Sequence, residues 1–186
     1  MTRKRNLFSR EEMYTMNVQK LEERGVKLED IADIALRQQS KWKPDITFQE
    51  CFESVQKILS LRDVFHLLQL GAEIDRLTEA KAFQGPIQEV LDSDLGLFGI
   101  DELFGLELAG LYGTIGKTNF GDIDVNKPGI ISVLNDAGKK DHTSCHTFMD
   151  DIVGALAAAA STRVAQVENE LEARKDPSII EQPKLF

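Results

Sequence analysis

Apolar residues in the first 90 positions recur every three or four residues, which is the period of a helix with one buried face. The pattern is clearest over residues 28–38, 48–59 and 64–77. Two hydroxyl residues are each followed three positions later by Glu, a capping box that favours a helix start. These pairs are Ser9 with Glu12 and Thr47 with Glu50. Because strand-like alternation is nearly absent, the sequence predicts an all-α protein.

The second half of the chain is rich in small residues. Ten of the 13 glycines lie from position 96 to position 154, although each glycine inside a helix costs roughly 1 kcal/mol relative to alanine. Gly105, Ala109 and Gly113 are spaced four apart and would share one helix face, where small side chains let another helix approach closely. A second small-residue helix includes Gly154–Ala160. Close packing alone is sufficient to explain both sets.

We therefore expect a single domain over residues 1–175, in which the two small-residue-rich helices are central and the other helices surround them. Residues 176–186 contain two prolines and are expected to form a flexible tail. Exposed glycine and alanine faces could equally pair two chains, so a homo-oligomer is compatible with the sequence.

Charge is distributed unevenly along the chain. The 186 residues include 31 Asp and Glu against 22 Lys and Arg, for a formal net charge of -9. Nucleic acids and anionic membranes select clustered Lys and Arg, so this balance argues against nucleic acid as a partner. Residues 92–151 hold 11 acidic and 4 basic side chains and thus carry -7 of the -9. The function is expected to lie in this segment.

Cysteine use and hydropathy predict a cytoplasmic protein. Cys51 and Cys145 form no CxxC or Cys/His cluster, so a zinc ribbon, a redox pair and a disulfide framework are unsupported. No apolar run of a signal peptide follows the basic residues Arg3–Arg5. The longest strongly apolar run, Ile152–Thr162, is shorter than the about 20 residues of a membrane-spanning helix. We expect no transmembrane segment, while Arg3–Arg5 leaves a peripheral contact with anionic lipid open.

Three acidic groups interrupt apolar sequence: Asp101–Glu102, Asp122 with Asp124, and Asp150–Asp151. A buried carboxylate takes up a proton, pairs with a cation or binds a metal ion, because an isolated buried charge is very costly. The bases near these groups in sequence, Lys117 and Lys127, are too few to neutralise them all. A shared site for Mg²⁺, or for Mn²⁺, is one interpretation. Helix capping by Asp150–Asp151 is the other.

At these residues the sequence resembles the phosphatidylglycerophosphatase A family, in particular its soluble, YutG-like branch. Three motifs of the family occur in the family's order within residues 94–160, about a third of the chain. They are Asp94-Leu-Gly-Leu-Phe-Gly-Ile-Asp101-Glu102, Asp124-Val-Asn-Lys127-Pro128 and Met149-Asp150-Asp151-Ile152-Val153-Gly154. Each motif is short, and it is their order and register that make the match specific.

The resemblance implies an all-α fold and a Mg²⁺-dependent phosphatase of lipid metabolism, which removes the terminal phosphate of phosphatidylglycerophosphate. It implies a phosphate contact at Lys127 and an acidic site that is both catalytic and metal-binding. The acids of that site are Asp101, Glu102, Asp124, Asp150 and Asp151. A bound cation would offset phosphate charge and lower the pKa of a bound water. Attack by water and attack by an Asp through a phospho-enzyme are both compatible with these residues.

The chain departs from the membrane members of that family in two ways. Their N-terminal Pro-Gly-Thr-x-Gly-Ser segment has only a weak counterpart, Gly113–Lys117, which stands in the wrong order, although its glycines and Lys117 could still approach a phosphate. Without membrane spans, the substrate is either a lipid phosphate reached from the cytoplasm or a soluble glycerol phosphate.

Two further interpretations stay open at this point. His146, four residues before Asp150, is a candidate for phosphate binding, against the simpler interpretation of a solvated loop residue. The competing hypothesis for the whole protein is a non-catalytic helical protein that keeps the acidic site for stability or partner binding.

Overall fold

The computed structural model describes residues 7–94, 99–137 and 143–175, with side chains as far as Leu171. These residues form nine helices and no strand, which confirms the predicted all-α class. The helices are α1 Arg10–Glu23, α2 Leu28–Ser40, α3 Phe48–Leu59, α4 Arg62–Glu79, α5 Pro86–Asp92, α6 Ile100–Gly110, α7 Gly113–Asn126, α8 Ile130–Asp136 and α9 Met149–Lys175. The tail expected at 176–186 lies outside the described residues.

Two helices start where the capping boxes predict. The Ser9 hydroxyl accepts from the backbone N–H of Glu12 at 3.2 Å, and the Glu12 carboxylate accepts in return from the Ser9 N–H at 2.6 Å. Thr47 and Glu50 make the same reciprocal pair at the start of α3. Each box satisfies two N–H groups that a helix start leaves without an intrahelical partner.

The long helix α9 forms the centre of the core. Every residue from Met149 to Thr162 is buried, and α2, α3, α6 and α7 all pack against this helix. Alanine and glycine side chains keep α9 thin enough for several neighbours to approach it at once. The predicted central position of this helix is confirmed. In the described part of the chain, no helix combines the length and apolar character that a membrane crossing needs.

The second predicted small-residue face is divided between two helices. Helix α6 ends at Gly110, and Gly113 adopts a φ of +78° where α7 begins, so Gly105, Ala109 and Gly113 do not share one face. A side chain at Gly105 would collide with the ring of Phe120 from α7. The glycine therefore makes room for an aromatic ring, and the expectation of one continuous stripe was wrong because a two-residue turn separates α6 from α7.

Three helix ends meet at one edge of α9. The first turn of α6 carries Asp101 and Glu102, the last turn of α7 leads to Lys127, and the first turn of α9 carries Asp150 and Asp151. Their side chains contact or approach one another across the junction. The fold thus brings together, from separate helices, the acidic groups that interrupt the apolar sequence.

Candidate functional site

Asp101 is buried because of its register on α6. The buried positions of this helix are Asp101, Gly105, Leu108 and Ala109, which recur at the spacing of one helix face. A carboxylate therefore stands where the same face otherwise carries apolar or small residues, and only 7% of Asp101 is exposed. Glu102 follows at the edge of that face and is half-buried.

One oxygen of each of these two acids lacks a hydrogen-bond partner. Asp101 Oδ1 and Glu102 Oε2 are both buried, and no donor among the described residues reaches them. Burial first, and then the neighbouring Glu102 carboxyl, raise the pKa of Asp101 to about 8. A buried acceptor left without a partner costs about 1–3 kcal/mol, and more when it is charged. The pair therefore favours either a shared proton or a cation.

Asp150 and Asp151, in the first turn of α9, are more deeply buried than Asp101 and Glu102, and both accept hydrogen bonds. Asp150 Oδ1 accepts from the backbone N–H of Asp151 at 2.9 Å. Burial raises the pKa of Asp150 to about 6, although the Lys127 charge opposes that shift. Burial and then the charge of Asp150 raise the pKa of Asp151 to about 9. Asp150 thus satisfies one N–H group of the first turn of α9, whereas the carboxylate of Asp151 lies with Lys127, Asp101 and Glu102.

Lys127 is the cation of this junction. It ends α7 in the left-handed region, at φ +41° and ψ +56°, a conformation that costs a non-glycine residue roughly 1–2 kcal/mol. Its ammonium group donates to Asp124 Oδ1 at 2.6 Å, Asp150 Oδ2 at 3.0 Å and Asp151 Oδ1 at 3.3 Å. Burial by itself lowers the pKa of Lys127, but these carboxylates, Asp150 foremost, raise it well above its usual range. The lysine is charged, and three acids share it.

Three carboxylates beside this lysine are grouped closely enough to share a small cation. Asp101, Glu102 and Asp151 can each contribute one oxygen, and those oxygens lie within 4.8 Å of one another. Mg²⁺ binds oxygen at about 2.0–2.1 Å in an octahedron, so its ligands lie roughly 3–4 Å apart. Small side-chain rotations would bring the three oxygens to that spacing. The donor set and the two unpartnered oxygens therefore fit a hard divalent cation.

The five acids predicted from the sequence thus come together at one junction. Asp151 belongs both to the cluster with Asp101 and Glu102 and to the group around Lys127, so it links the two. Asp124 and Asp150 stand on the lysine side. Asp122, two residues from Asp124, points away and pairs with Lys41 at 2.8 Å on the surface.

The other two predicted substrate contacts lie elsewhere. Lys117 is exposed and lies against Gly110 at the end of α6, roughly 13 Å along the helix from Asp101. His146 Nδ1 lies 3.3 Å from a guanidinium nitrogen of Arg24. Burial, followed by the Arg24 charge, lowers the pKa of His146 to about 4, which leaves the ring neutral at pH 7. His146 also borders a cavity of about 240 Å³, together with Asp94.

The structure also places buried polar residues at this site that sequence reasoning missed. Asp75, on α4, is fully buried against the start of α9. Arg24 and Glu79 form an ion pair at 2.9 Å that contacts the backbone of Cys145. The register of Asp75 was a usable signal, because it continues the buried face of α4 that contains Leu68 and Ala72.

Comparison with known proteins places this fold and its acids in a family. The model of phosphatidylglycerophosphatase A matches residues 44–166, which include all five acids and Lys127. The chain belongs to the phosphatidylglycerophosphatase A family. The recognition made from the three motifs is confirmed, and the matched region extends well before them.

Relatives in this family include two proteins of Bacillus subtilis (strain 168), both described as uncharacterized. YutG is 44% identical over 146 residues, which cover 78% of this chain and 86% of YutG. YpjQ is 39% identical over 165 residues, which cover 89% of this chain and 91% of YpjQ.

Two solved structures in this comparison share the fold over nearly their whole length. The crystal structure of YpjQ has a TM-score of 0.82 at 40% identity and covers 88% of this chain and 99% of its own. The low temperature requirement C protein of Listeria monocytogenes has a TM-score of 0.80 at 38% identity and covers 84% and 97%. The helical arrangement described above is therefore that of experimentally determined relatives.

Proposed function

We propose that this member of the phosphatidylglycerophosphatase A family is a Mg²⁺-dependent phosphomonoester hydrolase that acts from the cytoplasm. Its substrate is phosphatidylglycerophosphate or a soluble glycerol phosphate. The observation that carries the proposal is the Asp101–Glu102 pair. Each of the two carboxylates has a buried oxygen without a hydrogen-bond partner among the described residues, and each offers an oxygen within 4.8 Å of one on Asp151. Membership of the family supports the same class of reaction.

Two positive charges would then be available to bind the phosphate group of the substrate. Asp101, Glu102 and Asp151 would hold Mg²⁺, or Mn²⁺, which when bound supplies positive charge against the phosphate oxygens and a more acidic water. Lys127 supplies the second charge, and its side chain is 28% exposed, so a phosphate oxygen can reach it. The three carboxylates around Lys127 fix its position before substrate arrives, which favours electrostatic stabilisation of the transition state.

Hydrolysis joins a water oxygen to phosphorus and breaks the bond between phosphorus and the alcohol oxygen. The attacking water loses a proton to a carboxylate, and the departing alcohol oxygen gains one, so the products are an alcohol and inorganic phosphate. We assign the proton acceptor to Asp124, whose side chain is 27% exposed, against 8% for Asp150 and 4% for Asp151. Of these three carboxylates, Asp124 is the one a solvent-borne water can approach most easily.

The test is release of inorganic phosphate by the purified chain. Substrates are phosphatidylglycerophosphate in detergent micelles and soluble glycerol phosphates, each with Mg²⁺ and with a chelator. We expect turnover that depends on Mg²⁺ and that falls strongly in Asp124→Asn. Asp122→Asn is the matched control, because Asp122 lies on the same helix but pairs with Lys41 on the surface.

Two results would reject the proposal. No phosphate release from any of these substrates, with either Mg²⁺ or Mn²⁺, would exclude a phosphatase of this class. Turnover that is unchanged in both Asp124→Asn and Asp101→Asn would place the chemistry elsewhere. Stabilisation by metal without turnover would instead support the non-catalytic alternative, a helical protein that keeps the acidic site for stability or partner binding.

A further inference from the structure

The start of α9 is capped by a residue that is distant in sequence. Asp75, on α4, is fully buried, and its carboxylate accepts hydrogen bonds from the backbone N–H groups of Phe148 at 3.1 Å and Met149 at 3.0 Å. Met149 immediately precedes Asp150 and Asp151. Asp75 therefore binds the two backbone groups that lead directly into the acidic pair.

The segment ahead of these two groups is also held from outside. Glu79, one turn beyond Asp75 on α4, accepts from the backbone N–H of Cys145 at 2.8 Å. Arg24 from α1 pairs with Glu79 through both guanidinium nitrogens, at 3.1 and 2.9 Å, and donates to the Cys145 carbonyl. Residues 145–149 are thus attached to α1 and α4 by side chains of opposite charge, which are largely shielded from water.

A capping side chain that comes from another helix constrains the position of the capped helix, which a local cap does not. Ser, Thr, Asp or Asn at the helix start normally satisfies the first N–H groups and stabilises the helix wherever it lies. Here the residue before Met149 is Phe148, whose side chain has no acceptor, and the hydroxyl of the neighbouring Thr147 donates to the Leu91 carbonyl at 3.1 Å. A cap on α4 satisfies the same groups and also fixes the first turn of α9 relative to α4.

That position matters for the candidate site. Each residue of an α-helix turns the side-chain direction by about 100° and advances it by about 1.5 Å. A small rotation or slide of the first turn would therefore carry Asp151 away from Asp101 and Glu102, whose oxygens now lie within 4.8 Å of an oxygen of Asp151. The burial of a carboxylate at Asp75, costly in itself, is accounted for by this requirement.

We infer that Asp75 is a positioning residue for the metal site, setting the rotation and height of the first turn of α9 so that Asp151 reaches the Asp101–Glu102 pair. The inference rests on the proposed function only through the metal site and does not require that the bound metal support catalysis.

The test compares Mn²⁺ binding by Asp75→Asn and by the wild type. Asparagine has nearly the same shape, but its amide nitrogen cannot accept an N–H hydrogen bond, so one anchor is lost. We expect Mn²⁺ affinity by calorimetry to fall about 10- to 100-fold, as for other residues that orient metal ligands. Glu73→Gln is the matched control, since the half-exposed Glu73 lies on α4 and pairs with Arg76, and the Mn²⁺ affinity of this variant should equal that of the wild type.

A second comparison separates positioning from simple stability. If Asp75 acts through Asp151, Asp75→Asn weakens Mn²⁺ binding in the wild-type background and adds little in an Asp151→Asn background. Its effect on the melting temperature without metal should be the same in both. A lower melting temperature with unchanged Mn²⁺ affinity would overturn the inference and leave Asp75 a structural cap.

A third variant covers the case in which Asp75→Asn does not fold. Asp75→Glu keeps the charge but displaces it by one methylene, and the same loss of Mn²⁺ affinity is expected. Retained affinity in folded Asp75→Glu would overturn the inference. Wild-type protein that binds Mn²⁺ but releases no phosphate would overturn the proposed function alone, whereas wild-type protein that binds no Mn²⁺ would overturn both.

Discussion

Asp75, Asp101 and Glu102 all have buried carboxylate oxygens near the start of α9, but only Asp75 has hydrogen-bond donors for both of its oxygens among the described residues. The Asp75 carboxylate accepts from two backbone N–H groups and from the Cys145 thiol at 3.6 Å. One oxygen of Asp101 and one of Glu102 have no partner in the described part of the chain. Residue type and burial do not distinguish an acid that anchors a helix start from one that is available to bind a cation, whereas the hydrogen-bond partners do.

The largest expected effect is on catalysis and tests the unsatisfied pair. Asp101→Asn and Glu102→Gln each replace a charged ligand by a neutral one, so Mg²⁺-dependent phosphate release should fall by at least about 100-fold, more than the loss of a residue that only orients a ligand. Steady-state kcat at saturating Mg²⁺ measures this. Activity within a few fold of the wild type in both variants would show that the pair is not part of the site.

The next effect is on stability and compares the two regions directly. Without metal, Asp75→Ala leaves two buried N–H groups without acceptors and should lower the free energy of unfolding by about 2–5 kcal/mol. Asp101→Asn removes a buried carboxyl that has to keep a proton beside Glu102, and it should leave that free energy unchanged or raise it. Urea unfolding in the presence of a chelator measures both. A similar loss of unfolding free energy in the two variants would show that Asp75 and Asp101 do not differ in their contribution to stability.

A smaller effect is expected from pH. Burial and Glu102 raise the pKa of Asp101 to about 8, and burial and Asp150 raise that of Asp151 to about 9. The folded state then binds more protons than the unfolded chain, so stability falls as pH rises towards these values. The melting temperature of the metal-free protein should drop by a few degrees, on the order of 2–6 °C, between about pH 7 and pH 9.

Metal should reverse that trend, because a cation takes the place of the protons. The stabilisation by excess Mg²⁺, measured as the shift in melting temperature, is therefore expected to be larger at the higher pH. A metal-free melting temperature that is constant or rises between about pH 7 and pH 9 would contradict the raised pKa values of Asp101 and Asp151.

The smallest effect is expected at Lys117. This lysine, on α7, is exposed and lies against the far end of α6, so Lys117→Ala should change kcat/KM by no more than about 2-fold, the range of ordinary surface substitutions. Lys127→Ala is the informative counterpart, since Lys127 contacts three carboxylates of the site. A large loss of kcat/KM in Lys117→Ala would mean that the substrate extends along α6.

Much of the fold follows from local signals in the sequence. Ser9 and Thr47 start helices because their capping boxes are complete within four residues. The burial of Asp101 could also be predicted, since it continues the spacing of Gly105 and Ala109 on α6. These signals depend on neighbours in the chain, and a single sequence therefore contains them.

The anchors of the site depend on distant partners instead. Asp75 is 73 residues from Phe148, and Arg24 is 121 residues from Cys145, so no local pattern pairs them. The prediction of one continuous small-residue face that included Gly113 was wrong for a related reason, because residue spacing does not reveal the turn between α6 and α7. The sequence predicted which acids form the candidate site, and the tertiary structure shows which contacts hold the helices that carry them.

The most direct test of the central claim is a calorimetric titration of Mg²⁺ and Mn²⁺ into the metal-free wild type, Asp101→Asn and Asp122→Asn. We expect saturable binding in the wild type and in Asp122→Asn, and a loss of at least about 100-fold in affinity in Asp101→Asn. Equal binding by all three proteins, or no binding by the wild type, would contradict the assignment of the unpartnered carboxylates to a metal site.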